Sequence, residues 1–249
     1  MSQLVGKVIV VTGAGAGLGR AVALRYAAEG AQVVAVSLVE HELLALQASA
    51  GEHASALTLV TSDVSDPASV EAVARRVLDQ FGRIDVLFNN AGILIVKPIE
   101  ETSVEEWDRL MATNLRGPFL YCRAFVPAMK AQCDGVILNM SSGSGIKGFI
   151  GECGYCPSKH GIEGLTKTLA LELAPWDIRV IALTPGVGMH TPMSESHYTE
   201  EERKTWQDPA VLASAFVYLA QERNPALSGR RLNAYEIAQQ VERGAAVVL

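Results

Sequence analysis

Uninterrupted apolar runs alternate along this chain with stretches whose apolar positions recur every three or four residues. Val8 to Val11 is the first such run, four β-branched side chains in a row. A continuous run of this length predicts a strand buried on both faces. Leu18, Val22 and Tyr26 then repeat at helical spacing, and Gly30 supplies the stop after the helix. Val33 to Val36, ending at Ser37, predicts a second strand; Glu40 to Gln47 reads as a short helix and Ala56 to Thr61 as a third strand. Asp66-Pro67 joins an N-cap to a first-turn proline, Val70, Val73, Val77 and Phe81 mark the buried face, and Gly82 ends the helix. Ile84 to Phe88 is the fourth strand. Ser103 and Glu106 have capping-box spacing and open a long helical region containing Trp107, Leu110, Met111 and Leu115. Gly135 to Met140 is a fifth strand, Gly154 to Ala174 a helix stopped by Pro175, and Ile178 to Leu183 a sixth strand. Asp208-Pro209 repeats the cap-plus-proline signal for a helix through Val217 to Ala220.

Strand and helix alternate throughout, and the strands are too uniformly apolar to face water. This predicts an α/β fold: a doubly wound parallel sheet of Rossmann type, in three layers. No repeat or linker interrupts it, so residues 1–249 are expected to form a single domain. In such sheets a ligand sits where loops from the carboxyl ends of the strands meet. Gly13 to Gly19, Ser37, Asp63, Asn89 to Gly92, Ser141-Ser142 and Pro185-Gly186 should therefore converge.

Composition narrows the function classes. At 49% hydrophobic and 19% charged, the chain has ample material for a large core. A net charge of −6 without a basic run argues against a nucleic-acid partner. MSQLVGKVIV leads straight into the first strand, so neither a signal peptide nor a membrane span is expected and a cytoplasmic protein follows. The four cysteines, Cys122, Cys133, Cys153 and Cys156, are expected as thiols. Cys153-x-x-Cys156 has no partner pair or His at ligand spacing, so no metal site is assigned.

Two stretches carry chemistry. The first is the turn Thr12-Gly13-x-x-x-Gly17-x-Gly19, with Gly15 inside it. Glycines let the backbone approach an anion, and the N–H groups opening the next helix point at it, so a phosphate is the natural ligand. The second is Tyr155-Cys-Pro-Ser-Lys159. Residues four apart share a helix face, so phenol and ammonium can enter one site. A nearby cation lowers a tyrosine pKa from about 10 toward the range useful for general acid/base work. Ser142, at a strand end just upstream, can donate to a substrate oxygen.

With these stretches in hand, the chain resembles the short-chain dehydrogenase/reductase family over nearly its whole length. The resemblance rests on TGAGAGLG at Thr12 to Gly19, Asp63-Val64, NNAG at Asn89 to Gly92, Asn114, NMSS ending at Ser142, YCPSK at Tyr155 to Lys159, and Pro185-Gly186. It implies an Asn114, Ser142, Tyr155 and Lys159 catalytic set. Tyr155 would be the general acid or base, Lys159 would lower its pKa and hold the nicotinamide ribose, and Ser142 would polarise the reacting C–O group. The backbone of Asn114 would help hold a relay water. NAD(P) would lie on Thr12, Gly13, Gly15, Gly17, Leu18, Gly19 and Ser37, with Asp63 and Val64 at adenine. Asn90, Ala91 and Gly92 would line the ribose, and Tyr155, Lys159, Pro185, Gly186 and Thr191 would complete the nicotinamide side. A substrate loop is implied over about 187–208, and a homotetramer or homodimer on the 107–129 and 154–174 helices.

Three features depart from the family pattern. Pro157 is tolerated only in a first turn, so the helix is expected to begin near Gly154. VGMHTPM carries one residue more before Thr191 than is usual. Ser37 stands where NAD-preferring members often have aspartate, and Leu38 and Ala16 where NADP-preferring members often have basic residues; without a cation for a phosphate, NAD is expected over NADP.

The reading is therefore an NAD(P)-dependent oxidoreductase interconverting a small-molecule secondary alcohol and a ketone. A regulatory dinucleotide-binding protein, or an epimerase or dehydratase retaining NAD, is the rival. Ile93, Leu94, Ile95, Phe149, Ile150, Met189 and Met193 suggest a mostly apolar substrate pocket.

Overall fold

The computed structural model describes residues 2–248. β1 (Val8–Thr12) leads through the glycine turn into α1 (Gly17–Ala28), followed by β2 (Gln32–Ser37), α2 (Glu40–Ser49), β3 (Leu57–Thr61), α3 (Pro67–Phe81) and β4 (Val86–Asn89). The second half comprises α4 (Val104–Met111), α5 (Gly117–Gln132), β5 (Gly135–Met140), α6 (Tyr155–Leu173) and β6 (Ile178–Thr184). The short helices α7 (Pro192–Glu195) and α8 (Glu200–Arg203) precede α9 (Ala213–Gln221), β7 (Arg231–Asn233) and α10 (Ala234–Glu242).

Among the described residues seven strands form one parallel sheet, in the order β3-β2-β1-β4-β5-β6-β7. The order reverses beside β1, and that is where a crevice opens at the carboxyl ends of β1 and β4. Period-two alternation in β1 feeds both layers. Ile9 and Val11 face a core with α1, α9 and α10, whereas Val8 and Val10 face one with α3 and α5. Among the described residues no helix is long and apolar enough to cross a membrane.

Local signals account for most boundaries. Asp66 accepts from Ser69 N at 2.9 Å and Gly82 takes φ +69° after α3. Ser103 and Glu106 form the reciprocal capping box at α4, with Glu106 N to Ser103 Oγ at 3.2 Å and Ser103 N to Glu106 Oε2 at 3.1 Å. α6 begins at Tyr155 with Gly154 as its N-cap, so Pro157 lies in the first turn as the sequence requires.

Other boundaries differ. β3 starts one residue late because a 3-10 turn fills Gly51–Ala56. β4 starts at Val86, two residues later than expected; just before it the Asp85 side chain gathers charge, its Oδ2 accepting from Val8 N at 2.9 Å and its Oδ1 from Lys7 at 2.9 Å and Arg83 at 2.7 Å. Asp208-Pro209 opens a 3-10 turn, Pro209–Leu212, before α9. α6 hands over to a 3-10 turn at Ala174–Trp176, ahead of the end given by Pro175. Not anticipated from the sequence were α7, α8, α10, β7, which is three residues long with arginine at its start, and a π-turn at Ala112–Arg116 between α4 and α5.

Candidate active site

The phosphate turn is built by close backbone packing. A Cβ placed on Gly19 would lie 2.1 Å from the Gly13 carbonyl oxygen, so α1 can start against the turn only if this residue has no side chain. Thr12 ties the turn to β4 from below: its Oγ1 accepts from Asn90 N at 3.0 Å and Ala91 N at 3.1 Å. The Asn90 side chain donates to Thr12 O at 3.0 Å and Gly13 O at 3.2 Å. Thr12 and Gly19 thus shape the turn without lining the cleft.

A cleft of about 320 Å³ runs from Gly13, Gly17 and Ser37 past Asn90 to Gly92 and on to Ser142, Tyr155 and Lys159. Ala16, Leu18, Pro185 and Thr191 also line it. Lys159 is buried at 5% exposure, its ammonium donating to Met140 O at 2.8 Å and standing 5.5 Å from the centre of the Tyr155 ring. Burial pushes the Lys159 ammonium down to about 8, an effect partly offset by the Glu163 carboxylate. For Tyr155 burial also dominates and raises the phenol well above its ordinary value; the Ser142 hydroxyl pulls it down, and Glu152 and Tyr198 push it up. The expected lowering by Lys159 is not found: the groups that shift the phenol are its burial, Ser142, Glu152, Tyr198 and Cys156, and burial, the largest of them, favours the neutral phenol.

Three successive residues at the end of β5 are pinned. Met140 O is held by Lys159. Ser141 Oγ donates to Glu163, one turn beyond Lys159 on α6. Ser142 O accepts from Arg231 Nη2 at 3.0 Å, and Arg231 Nε lies 3.2 Å from Glu163 Oε1. Sequence reasoning missed Glu163 and Arg231; their opposite charges, one on a helix and one on a three-residue strand, leave no spacing signal.

Asn114 is buried in the π-turn, a break in helical regularity of the kind that concentrates at functional sites. Its side chain accepts from Ile93 N at 2.8 Å and donates to Ile93 O at 2.9 Å and Ser158 Oγ at 3.1 Å. It therefore clamps the loop after β4 to α6. Asp63 and Val64 do not line the cleft. Asp63 Oδ1 is taken by Ser65 N at 2.8 Å and Ser65 Oγ at 2.7 Å, and Val64 packs beneath Gly117.

Thr191 caps α7 and lies against Gly17, so the extra residue before it is absorbed without moving it from the cleft. Gly186 is exposed beside the cleft, its backbone at φ +80° against Asn233. The 187–208 segment is closed at its base by His190 N to Gln207 O and Gln207 N to Gly188 O, both 2.9 Å. Tyr198 meets Trp206 edge-on at 5.0 Å above it. Met189 and Met193 line the cleft from this segment, while Phe149 and Ile150 are exposed. A buried carboxylate, Glu152, accepts from Ser144 Oγ at 2.7 Å and Cys156 Sγ at 3.3 Å, so the wall next to Tyr155 is more polar than expected.

Residues 7–202 match the family model described as short chain dehydrogenase. The chain belongs to the short-chain dehydrogenase family. This member is 38% identical over 214 residues to levodione reductase of Leifsonia aquatica, covering 85% of this chain and 79% of that protein. It is 39% identical over 207 residues to D-threitol dehydrogenase of Mycolicibacterium smegmatis, covering 83% and 76% respectively. The crystal structure of 3-ketoacyl-(acyl-carrier-protein) reductase from Brucella melitensis complexed with NADH superposes with TM-score 0.85 at 34% identity, over 92% of this chain and 97% of that one. This short-chain dehydrogenase is accordingly an NAD(P)-dependent oxidoreductase with a doubly wound fold.

The buried ammonium makes a signed prediction. The folded-state pKa of Lys159, about 8, lies below the ordinary value of 10.5, so the cost of burying its charge is fully present below pH 8 and is relieved as pH rises from 8 toward 10.5. Melting temperatures across that window are expected to show a stability increment in the wild type that Lys159→Met lacks. Parallel profiles for the two proteins would contradict it.

Proposed function

We propose that this short-chain dehydrogenase interconverts a secondary alcohol and a ketone, with Tyr155 as general acid or base, Ser142 orienting the reacting oxygen and Lys159 holding the nicotinamide ribose. The observation that carries the reading is that Ser142, Tyr155 and Lys159, from β5 and α6, all line the cleft that the phosphate turn opens. The turn fits a dinucleotide: its glycines keep the backbone bare, and Gly17 and Leu18, the first residues of α1, line the cleft, where a helix N-terminus favours a phosphate. When bound, NAD(P) supplies the hydride chemistry.

The protein's own residues supply position and a proton. A phenol kept neutral by burial is ready to donate, so carbonyl reduction is favoured near neutrality and alcohol oxidation gains as pH rises. Ser142, its backbone fixed by Arg231, presents its hydroxyl to the substrate oxygen. Met189 and Met193 give the cleft apolar lining, Phe149 and Ile150 are exposed apolar side chains outside it, and Glu152 and Tyr198 are polar groups whose charge reaches Tyr155. A substrate with an apolar body and a hydroxyl or carbonyl at the reacting carbon fits this mixture.

NAD is the preferred form of the cofactor in this reading, because Lys159 is the only cation lining the cleft among the described residues. The test is absorbance at the NAD(P)H band with a panel of cyclic ketones, secondary alcohols and polyols. Turnover in the wild type that disappears in Tyr155→Phe supports the reading. Absence of turnover in both, with dinucleotide still bound, favours a regulatory binder or an enzyme that retains NAD.

The proposal places the protein in the cytoplasm as a homodimer or homotetramer. Val104, Phe119 and Leu171 are large apolar side chains exposed on α4, α5 and α6 at 70%, 48% and 82%. Light scattering is expected to give two or four chain masses, and a monomer at micromolar concentration would remove this part of the reading.

A further inference from the structure

The cleft has a second end, remote from Tyr155, where β2 stops at Ser37 and the chain turns into α2. No carboxylate stands at the strand terminus itself, but one reaches back to it. Glu42, five positions beyond Ser37, accepts a hydrogen bond from Ser37 Oγ at 3.3 Å through Oε2, while Ser37 Oγ accepts from Val39 N at 3.2 Å. Glu42 lines the cleft beside Ser37 and Ala16. A Cβ built on Gly15 would lie 2.4 Å from Glu42 Oε2 and 2.8 Å from Ser37 Oγ, so the carboxylate rests directly on the bare backbone of the phosphate turn. Its charge has no cationic partner among the described salt bridges. Arg20, the cation at the start of α1, donates instead to Ser49 Oγ at 2.6 Å.

We propose that Glu42 is the residue by which this enzyme selects NAD(H) over NADP(H): its carboxylate accepts from the adenosine ribose 2′-hydroxyl and repels a 2′-phosphate. The inference rests on the NAD(P) reading above and adds the group that does the discriminating. Chemistry favours this use. A carboxylate accepts and does not donate, so it rewards a vicinal hydroxyl, and against a phosphate bearing nearly two negative charges it is repulsive at contact distance. Ser37 serves as a positioning residue: it hydrogen-bonds the carboxylate and fixes its orientation. Gly15 is the third element, because any side chain there would displace the acid from the turn.

The same contacts could instead serve only to start α2. The two roles separate in binding rather than in activity. Calorimetric titration with NAD+ and with NADP+ at low salt is expected to show wild type binding NAD+ at least about 30-fold more tightly. Glu42→Gln keeps the shape and the Ser37 contact but removes the charge. It is expected to narrow the ratio at least about 10-fold, chiefly by tighter NADP+ binding, with an unchanged melting temperature. Ser37→Ala, which loses the hydroxyl and keeps the charge, is expected to preserve a preference for NAD+. An unaltered ratio in Glu42→Gln, equal weakening of both dinucleotides, or a wild type that prefers NADP+ would each overturn the assignment while leaving the enzyme reading intact. A wild type that binds neither dinucleotide overturns the NAD(P) reading itself.

Discussion

Replacing Tyr155 with phenylalanine is expected to lower kcat by about 10²–10⁴-fold, the range for a lost general acid or base, while dinucleotide affinity stays within about threefold. The ring keeps its packing, and the Lys159 bond to Met140 O at 2.8 Å does not involve the phenol. Only the proton donor is removed. Steady-state rates on the best substrate of the panel, with calorimetric affinities for the cofactor, check both halves. A variant with near wild-type kcat would end the assignment of Tyr155, and one that also lost cofactor would show a structural role for the hydroxyl.

The largest effect on stability is expected at Phe216. It is fully buried on α9, its ring 4.6 Å from that of Phe88 on β4, and its carbonyl accepts from Tyr26 Oη on α1 at 3.2 Å. One side chain thus joins α9 to the centre of the sheet, and its backbone joins α9 to the helix that carries the phosphate turn. Phe216→Ala is expected to cost about 3–5 kcal/mol, from lost transfer energy and the cavity left among rigid neighbours. For a chain of this size that is a fall in Tm of roughly 6–20 °C. Thermal unfolding followed by circular dichroism measures it. A fall of only a few degrees would mean that Leu18, Tyr26 and Phe88 collapse into the space.

Much of this architecture is written locally. Asp66 with Pro67 and Gly82, Ser103 with Glu106, and the β-branched runs of β1 and β2 each encode their element within a few residues, so pattern and structure agree. The carboxyl-end loops converge because the topology leaves them nowhere else to go. Illegible features depend on partners distant in sequence. β7 is held by β6 alone and its Arg231 answers a carboxylate on α6, so three residues with a charged start carry no strand signal. The π-turn arises because Asn114 must clamp Ile93 and Ser158 while Leu110 and Leu120 both stay buried. Glu42 escaped notice because charge was sought at the strand end, whereas the acid folds back from a helix. Asp63 stands outside the lining of the cleft, its Oδ1 held by Ser65 two positions on, a local contact that the spacing of the motifs does not show.

The widened turn at Ala112–Arg116 has a consequence for insertions and deletions. Each residue of an α-helix advances the side chains by about 100°, so one residue removed from this segment would restore regular coiling at the expense of phase. The half ending at Leu110 and the half carrying Phe125 and Met129 would then point about a quarter-turn apart from their present seats. Whichever half kept its place, the other would swing its apolar side chains toward water. A single-codon loss here is therefore incompatible with an intact interior, whereas a substitution at Arg116, the exposed residue of the segment, leaves the phase of both halves unchanged.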